Sequence, residues 1–544
     1  MAEIVAPQNV ENPGEDPRWL GMAESLNGPV YGTNGWAARP YLTSSDMTVY
    51  RNKDMFAADA RDASRTNPYA RSAKRTSVDS IIGTTMTLSL QPISEILGVT
   101  DQEAQDWAEM VENKWAIAAE SPDCHFDAQR KQTFTGLMRE TYSGFYTSGE
   151  SLGTIEWKAS SNGQRTCYLN IEPERLSDPR GQHDIIHGRR MGVERDRHGA
   201  PIGYHIRERH PSDGAFWGPI DFHKWKYVPR RNSWGRWQCL HYFEQDRPDM
   251  TRGISAFTTA LLPMRLLQDY MTTELESAAV RATYAAVIQS ELNYEEAMKV
   301  VGDEYANTMK GNPMLDFTMR RMADSAAFYR GQDMRFGKAK ISHLLPNEEL
   351  KMVQGTQHAN GLKDYADQNL HLLASSLGVD YASLTKDYAK VNYSGARAAL
   401  YDVWRSYEVR REEFVDAVAW PIFVCWLEEM VALREQIPML GNRSFYDVRD
   451  ALTYGTFETW TKPRLDPLKE GQADLIMYNA GALSLRDLAK QEGRDWRRVL
   501  NDRAQEKAEM KKLGLTPEDI DWTLIMNAGA KNKPKADNAD DSQQ

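Results

Sequence analysis

Three stretches of the chain carry residue types at spacings that suggest chemistry. The first is Gly331-Gln-Asp-Met-Arg-Phe-Gly337-Lys338-Ala339, which approaches a phosphate-binding loop. Such a loop places four residues between its glycines and follows its lysine with a Ser or Thr whose hydroxyl holds magnesium. Here five residues intervene and Ala339 stands at the hydroxyl position, so a turn before a strand accounts for the stretch better. The second is His183-Asp-Ile-Ile-His187, the i, i+4 spacing of a zinc-binding helix. It lacks the glutamate that follows the first histidine of such motifs, and Asp178-Pro179-Arg180-Gly181 before it and Gly188 after it disfavour a helix. Seven of the eleven histidines lie between residues 183 and 241, yet no cysteine pair or carboxylate spacing accompanies them. Polar positions on strands and turns explain them more simply than a metal cluster. The third is Glu349-Leu-Lys351, the tail of a nuclease-type metal set. No aspartate stands convincingly upstream on a strand, and a solvated helix face is the simpler reading.

The chain contains no G-x-G-x-x-G motif, so neither the dinucleotide nor the kinase fingerprint is available. No catalytic, cofactor-binding or metal-ligating residue is assigned, no cofactor is expected, and the chain is not read as an enzyme. One polar segment keeps a different kind of chemistry open. Thr385 to Ser394 places Lys386, Asp387, Tyr388, Lys390, Asn392 and Tyr393 within a short span between two long helical patterns. A loop held by rigid supports is well placed to meet a ligand, and its Lys and Tyr side chains suit phosphate and sugar without reading bases. An ordinary polar connector is the alternative.

The elements that would position these residues follow from periodicity. Residues 1–45 are rich in Gly, Pro, Asn and Ser and read as a mobile arm. A helical pattern with Phe56, Ala60 and Ala63 on one side begins near Asp46. Residues 101–120 predict an amphipathic helix through Trp107, Met110, Val111, Trp115 and Ala118, and another helix is expected over 128–147. From 150 to 245 the alternating stretches SLGTIEW, CYLNIEP, GYHIRER, KWKYVPR and QCLHYFE predict strands, with a turn at Arg197 to Pro201. A long helix is expected from Ser255 to about Glu291, with a stripe through Phe257, Leu261, Met264, Leu267, Met271, Leu275, Ala278, Ala282 and Ala285, and Pro263 moves its start towards Leu262 or kinks it. A mixed stretch to 345 precedes a second long helix from Glu348 to about Ser376. A third runs from about Ala396 to Glu435, interrupted at Pro421, and several short helices occupy 466–528. The final KNKPKADNADDSQQ has the composition of disorder.

Composition narrows the class. The 544 residues, 41% hydrophobic and 26% charged, suit a globular chain of roughly three domains. No apolar window is long enough for a membrane span, and MAEIVAPQNVENPGEDP does not resemble a secretory signal. Four scattered cysteines fit a reducing compartment better than a disulfide scaffold. The net charge of −11 argues against a broad DNA-gripping face. It permits, without selecting, a wall past which DNA slides, because like charge keeps phosphates from sticking.

In order, FDAQRKQTFTGLMRE (126–140), HYFEQDRPDMTRGISAF (241–257), RATYAAVIQSEL (281–292), LGVDYASLTKDYAKVNYSGARAAL (377–400), FVCWLEE (423–429) and DPLKEGQADLIMYNAGALSLRDLAKQEGRDW (466–496) resemble the lambda-type family of tailed-phage portal proteins. The resemblance runs from about 50 to 515. It implies an α+β, helix-rich portal fold of wing, stem, clip and crown that assembles into a closed ring of about twelve subunits. On this chain it implies an arm at 1–45, a wing at 46–255, a stem helix at 256–290, a clip at 291–346 and a second stem helix at 347–380. The tunnel loop would be 381–395, followed by a wing and crown-connecting segment at 396–465, a crown at 466–530 and a tail at 531–544. Leu267, Met271, Leu275, Ala278 and Ala282 become ring-packing positions, and Lys386, Asp387, Tyr388, Lys390, Asn392 and Tyr393 the channel loop. The implied function is a DNA channel at one capsid vertex that seeds head assembly. The implied partners are the terminase large subunit, head-completion proteins, major capsid and scaffold proteins, and double-stranded DNA in passage, with no membrane. The place would be the virion, and the host cytoplasm during assembly. The other readings are a nuclease or ATPase of the packaging machinery, and another shell or scaffold protein. The missing phosphate loop and metal set disfavour the first, and two long helices flanking an inserted module disfavour the second.

Overall fold

The computed structural model describes residues 43–50, 52–179, 188–213, 224–285, 335–336, 339–340, 359–388, 393–433, 436–459, 466–492, 494 and 496–514. The chain divides into two compact units. One takes residues from 1–258 and 378–544, and the other takes 259–377.

The first unit opens with α1 (Ser45–Tyr50), α2 (Lys53–Thr66) and α3 (Pro68–Ile81). Asn67 separates the last two: its side chain accepts from the N–H groups of Tyr69 and Ala70, and Pro68 occupies a first-turn position where its missing N–H costs nothing. The buried positions Ala57, Ala60, Ala70 and Ala73 are small, which lets α2 and α3 pack closely. After β1 (Met86–Leu90) and the single turn α4 (Ser94–Leu97) comes α5 (Asp101–Glu120), started by a reciprocal cap between Thr100 and Glu103. It buries Trp107, Val111, Trp115 and Ala118 as the spacing predicts. Met110 departs from that stripe and is exposed, because it falls one position off the seam of Ala104, Ala108, Val111 and Trp115.

The next helix, α6 (Phe134–Ser148), begins later than the expected residue 128. The Asp127 carboxylate accepts from the N–H groups of Gln129, Lys131 and Gln132, which gives this backbone an alternative to the helix until Thr133 caps it. All five alternating stretches become strands. In chain order the strands are β2 (Glu150–Trp157), β3 (Thr166–Ile171), β4 (Arg189–Arg190), β5 (Val193–Arg195), β6 (Pro201–Arg207), β7 (Trp225–Pro229) and β8 (Cys239–Phe243). They form two antiparallel sheets, ordered β3-β2-β8 and β4-β5-β6-β7. Leu152, Ile171, Leu176, Val193, Tyr204, Ile206, Val228 and Cys239 form one buried cluster across them. Gly149 ends α6 in the left-handed region (φ 83°), and a Cβ there would stand 2.1 Å from the Ile254 backbone.

The second unit holds α7 (Leu261–Ala285), a hairpin of β9 (Arg335–Phe336) and β10 (Ala339–Lys340), and α8 (Ala359–Leu377). The first long helix therefore starts at Leu261 rather than Ser255, with Pro263 in its first turn as the sequence suggests. Tyr270 of α7 and Tyr365 of α8 meet at 4.4 Å between ring centres. The expected helix start near 348 lies outside the described residues.

The chain returns to the first unit through α9 (Tyr381–Thr385) and α10 (Tyr393–Phe414). A π-helical turn at Val415–Ala419 leads into α11 (Trp420–Ala432). Pro421 has no N–H for a regular helical bond, and the wider turn just before it absorbs the mismatch. After α12 (Phe445–Leu452), β11 (Gly455–Thr459) pairs antiparallel with β1, aligning Leu88 with Phe457. The core thus closes with chain from both ends. Trp115 is ringed by Phe126, Phe134, Phe423, Trp426 and Phe457, with centroids 4.6 to 5.8 Å away. Last come α13 (Pro467–Asn479), α14 (Leu485–Gln491) and α15 (Trp496–Leu513), of which α13 and α15 bury no residue. The described residues are helix-rich with small open sheets, the α+β class expected, and none of their helices is long and apolar enough to cross a membrane.

Candidate functional site

The apparent phosphate loop is part of a hairpin. Phe336 pairs with Ala339 and Arg335 with Lys340, so the chain between them joins two antiparallel strands and does not lead into a helix N-terminus. His183, His187 and Glu349 to Lys351 lie outside the described residues. The described histidines of that region sit apart: His205 bonds Glu194 at 2.8 Å, His210 bonds Ser212 at 2.6 Å, and His198 lies beside Arg197. Among the described residues no group of three His, Cys, Asp or Glu gathers to hold a metal ion.

His241 belongs to a network that sequence reasoning missed. Glu150, at the start of β2, is fully buried. Its Oε2 accepts from Arg252 Nε at 2.7 Å and bonds His241 Nε2 at 2.9 Å; its Oε1 accepts from Arg252 Nη2 at 2.5 Å. Lys53 Nζ lies 2.6 Å from Oε1, close enough for an ion pair but off the line of a hydrogen bond. Arg252 also donates to the carbonyls of Leu176, Met191 and Pro173, each at 2.8 Å. Burial alone would raise the Glu150 carboxyl pKa; the charges of Arg252 and Lys53 and the bonds from Arg252 and His241 outweigh it and hold the group well below the usual carboxylate range. Burial also lowers the His241 pKa, against the pull of Glu150. With every charged member enclosed, this cluster ties α2, β2, β8 and the chain at 252 together. It suits structure better than catalysis. No periodicity links Lys53, Glu150 and Arg252, so no sequence signal pointed to it.

The polar segment 381–395 is not a loop throughout. Its first five residues form α9, capped by Asp380, whose side chain accepts from the Ser383 N–H. That helix packs on α3: Ser72 donates to the Ser383 carbonyl at 3.4 Å, and Lys386 Nζ lies 3.3 Å from Thr76 Oγ1. Lys386 ends α9 in the left-handed conformation (φ 59°), and Lys386, Asp387 and Tyr388 are exposed. Lys390 and Asn392 lie outside the described residues. Tyr393 is the first residue of α10, three positions before the expected helix start at 396. The open part of the segment is therefore shorter than the sequence suggests.

The α7 stripe splits into two behaviours. Leu267 is 3% exposed, already covered within the single chain, while Met271 is 46% and Leu275 71% exposed. Ala278 and Ala282 lie on the same helix, and their side chains fall outside the described set. Leu262 and Leu266 are exposed as well. A stretch of α7 therefore leaves several large apolar side chains exposed.

The family model for phage portal proteins of the lambda family matches residues 32–411. The chain belongs to that family. The matched span includes the two sheets, α7, α8 and the 381–395 segment, and ends within α10. The portal protein of Escherichia phage N15 is 30% identical over 520 residues, covering 95% of both chains. Portal protein B of Escherichia phage lambda is 31% identical over 481 residues, covering 88% of each. These relatives carry the likeness past residue 411 to α11 and β11, which complete the core around Trp115. A solved structure of the neck of an empty GTA particle, computed with C6 symmetry, covers 80% of this chain and 94% of that chain, at 13% identity and a TM-score of 0.37. A likeness that loose carries no argument about this fold.

Proposed function

We propose that the chain is one subunit of a closed ring of about twelve that forms the DNA channel at a single vertex of a phage head. Membership of the lambda portal family, matched across residues 32–411, is the observation that carries this reading. In the ring, α7 and α8 line the channel wall as stem helices, and Met271, Leu275, Ala278 and Ala282 pack against neighbouring subunits. The segment 381–395 meets the passing duplex through Lys386, Tyr388 and Lys390, with weak contacts that ignore sequence because phosphates carry no base information. A head-to-tail contact that closes on itself lets one chain build such a pore. The ring works by position, with no bond chemistry of its own. It seeds the head within the host cytoplasm, docks the terminase large subunit that hydrolyses ATP, and then holds the head-completion proteins in the virion. Negative-stain microscopy of the purified full-length protein tests the reading. Rings with a central hole are expected; a preparation that stays monomeric, or forms assemblies without a hole, overturns it.

A further inference from the structure

An open groove of about 690 Å³ lies between α2, α3 and α6, and its charge is the reverse of the chain's. Arg65 closes α2, and Arg71, Lys74 and Arg75 rise from one side of α3 at three- and four-residue spacing. None of these four side chains has an ion pair, hydrogen bond or ring contact among the described residues, in a protein of net charge −11. The groove's two carboxylates are already engaged: Asp79 pairs with Arg139, and Glu140 accepts from the Gln132 amide at 2.6 Å. Lys74 is half-buried, and its pKa is lowered first by that burial and then by the nearby Arg61 charge. That is the mark of a cationic site short of an anion.

From this geometry we infer that the groove binds the phosphodiester backbone of double-stranded DNA, as a second DNA contact beside the 381–395 segment. Three observations favour phosphate. The cations are mostly arginines on rigid helices, whose planar forks match phosphate oxygens. Ser143 lines the same groove and is of a type that donates to phosphate. The helix that carries Arg71, Lys74 and Arg75 is also the one on which the proposed channel segment rests, through Ser72 and Thr76. The inference rests on the portal reading only for the presence of DNA.

The test uses the full-length protein and a short random-sequence duplex, with affinity measured across a salt series. Arg71 and Arg75 are exposed, so Arg71→Gln/Arg75→Gln leaves the fold intact. The log-log salt slope should become shallower by about two, with the same loss for every duplex sequence. The control Lys507→Gln/Lys511→Gln, an equal charge change on α15, should leave the slope as in the wild type. Three results overturn the inference. The wild type fails to bind the duplex at low salt; the groove variant keeps the wild-type slope; or the control lowers the slope equally, which makes the effect one of net charge. A groove variant that keeps its slope but no longer forms rings would reassign the groove to an acidic surface of a neighbouring subunit. Ring images of the wild type judge the portal reading separately, so rings with an unchanged slope refute the groove alone.

Discussion

Glu150 shows how much one enclosed carboxylate can organise. Three cationic or imidazole side chains and the Gly253 backbone N–H converge on it, from segments up to 200 residues apart in sequence. Glu150→Gln would leave Lys53 and Arg252 buried with little compensation, at a cost of about 3–5 kcal/mol. A large drop in melting temperature is expected, and a melt like the wild type's would refute the role. The same site sets a pH dependence. Burial holds the folded His241 below the ordinary histidine pKa of 6.5, so on acidification the unfolded chain takes up a proton that the folded chain refuses. Stability therefore falls as pH drops below about 6.5, and Glu150, also depressed, adds loss in the same direction below its own unfolded value of about 4.5. Scanning fluorimetry across pH 7 to 5 should show this decline flattened in His241→Gln; equal slopes in the two proteins would count against it.

At the scale of the element, α7 carries both a side chain covered within the chain, Leu267, and large apolar side chains left exposed, such as Leu275. Leu267→Asp puts a carboxylate where the chain already excludes water, so it damages the subunit itself. Leu275→Asp changes a side chain that is 71% exposed, so the subunit should fold with a normal melt. In a ring that buries this position, the unpaired charge would cost several kcal/mol per subunit. Light scattering after size-exclusion chromatography should then find folded monomers. Wild-type rings from Leu275→Asp would remove this part of α7 from the interface. The terminal helices pose a related problem: Leu468, Leu475, Ile476 and Leu500 are exposed on α13 and α15, which bury nothing in one chain.

For the whole molecule, function follows from arrangement and charge. The described residues hold no metal-ready cluster, and the one phosphate-loop lookalike is a hairpin. The purified protein should neither hydrolyse ATP nor cut DNA with magnesium or manganese. Turnover that follows the protein peak through purification would overturn this. The first unit is discontinuous: β1 needs β11, and Trp115 needs Phe423 and Trp426, so chain on both sides of the second unit must be present before the core can close.

Local pattern determined a good deal. Alternation placed all five strand segments, three- and four-residue spacing placed α5, Asp196 and Gly199 shaped the turn after β5, and Pro263 marked the start of α7. These are short-range matters, set by side-chain geometry within a few residues. The order of the six family-like stretches likewise sufficed to suggest the family, because order and spacing survive when contacts are unknown. Tertiary structure decided the rest. It delayed α6 through the Asp127 side chain, exposed Met110, turned the front of the 381–395 segment into a helix held by Ser72 and Thr76, and divided Leu267 from Leu275 on one apolar stripe. It also brought Lys53, Glu150, His241 and Arg252 together, and left Arg65, Arg71, Lys74 and Arg75 without an acid partner among the described residues. Each of these depends on which distant segment arrives beside a residue, and periodicity along the chain holds no record of that.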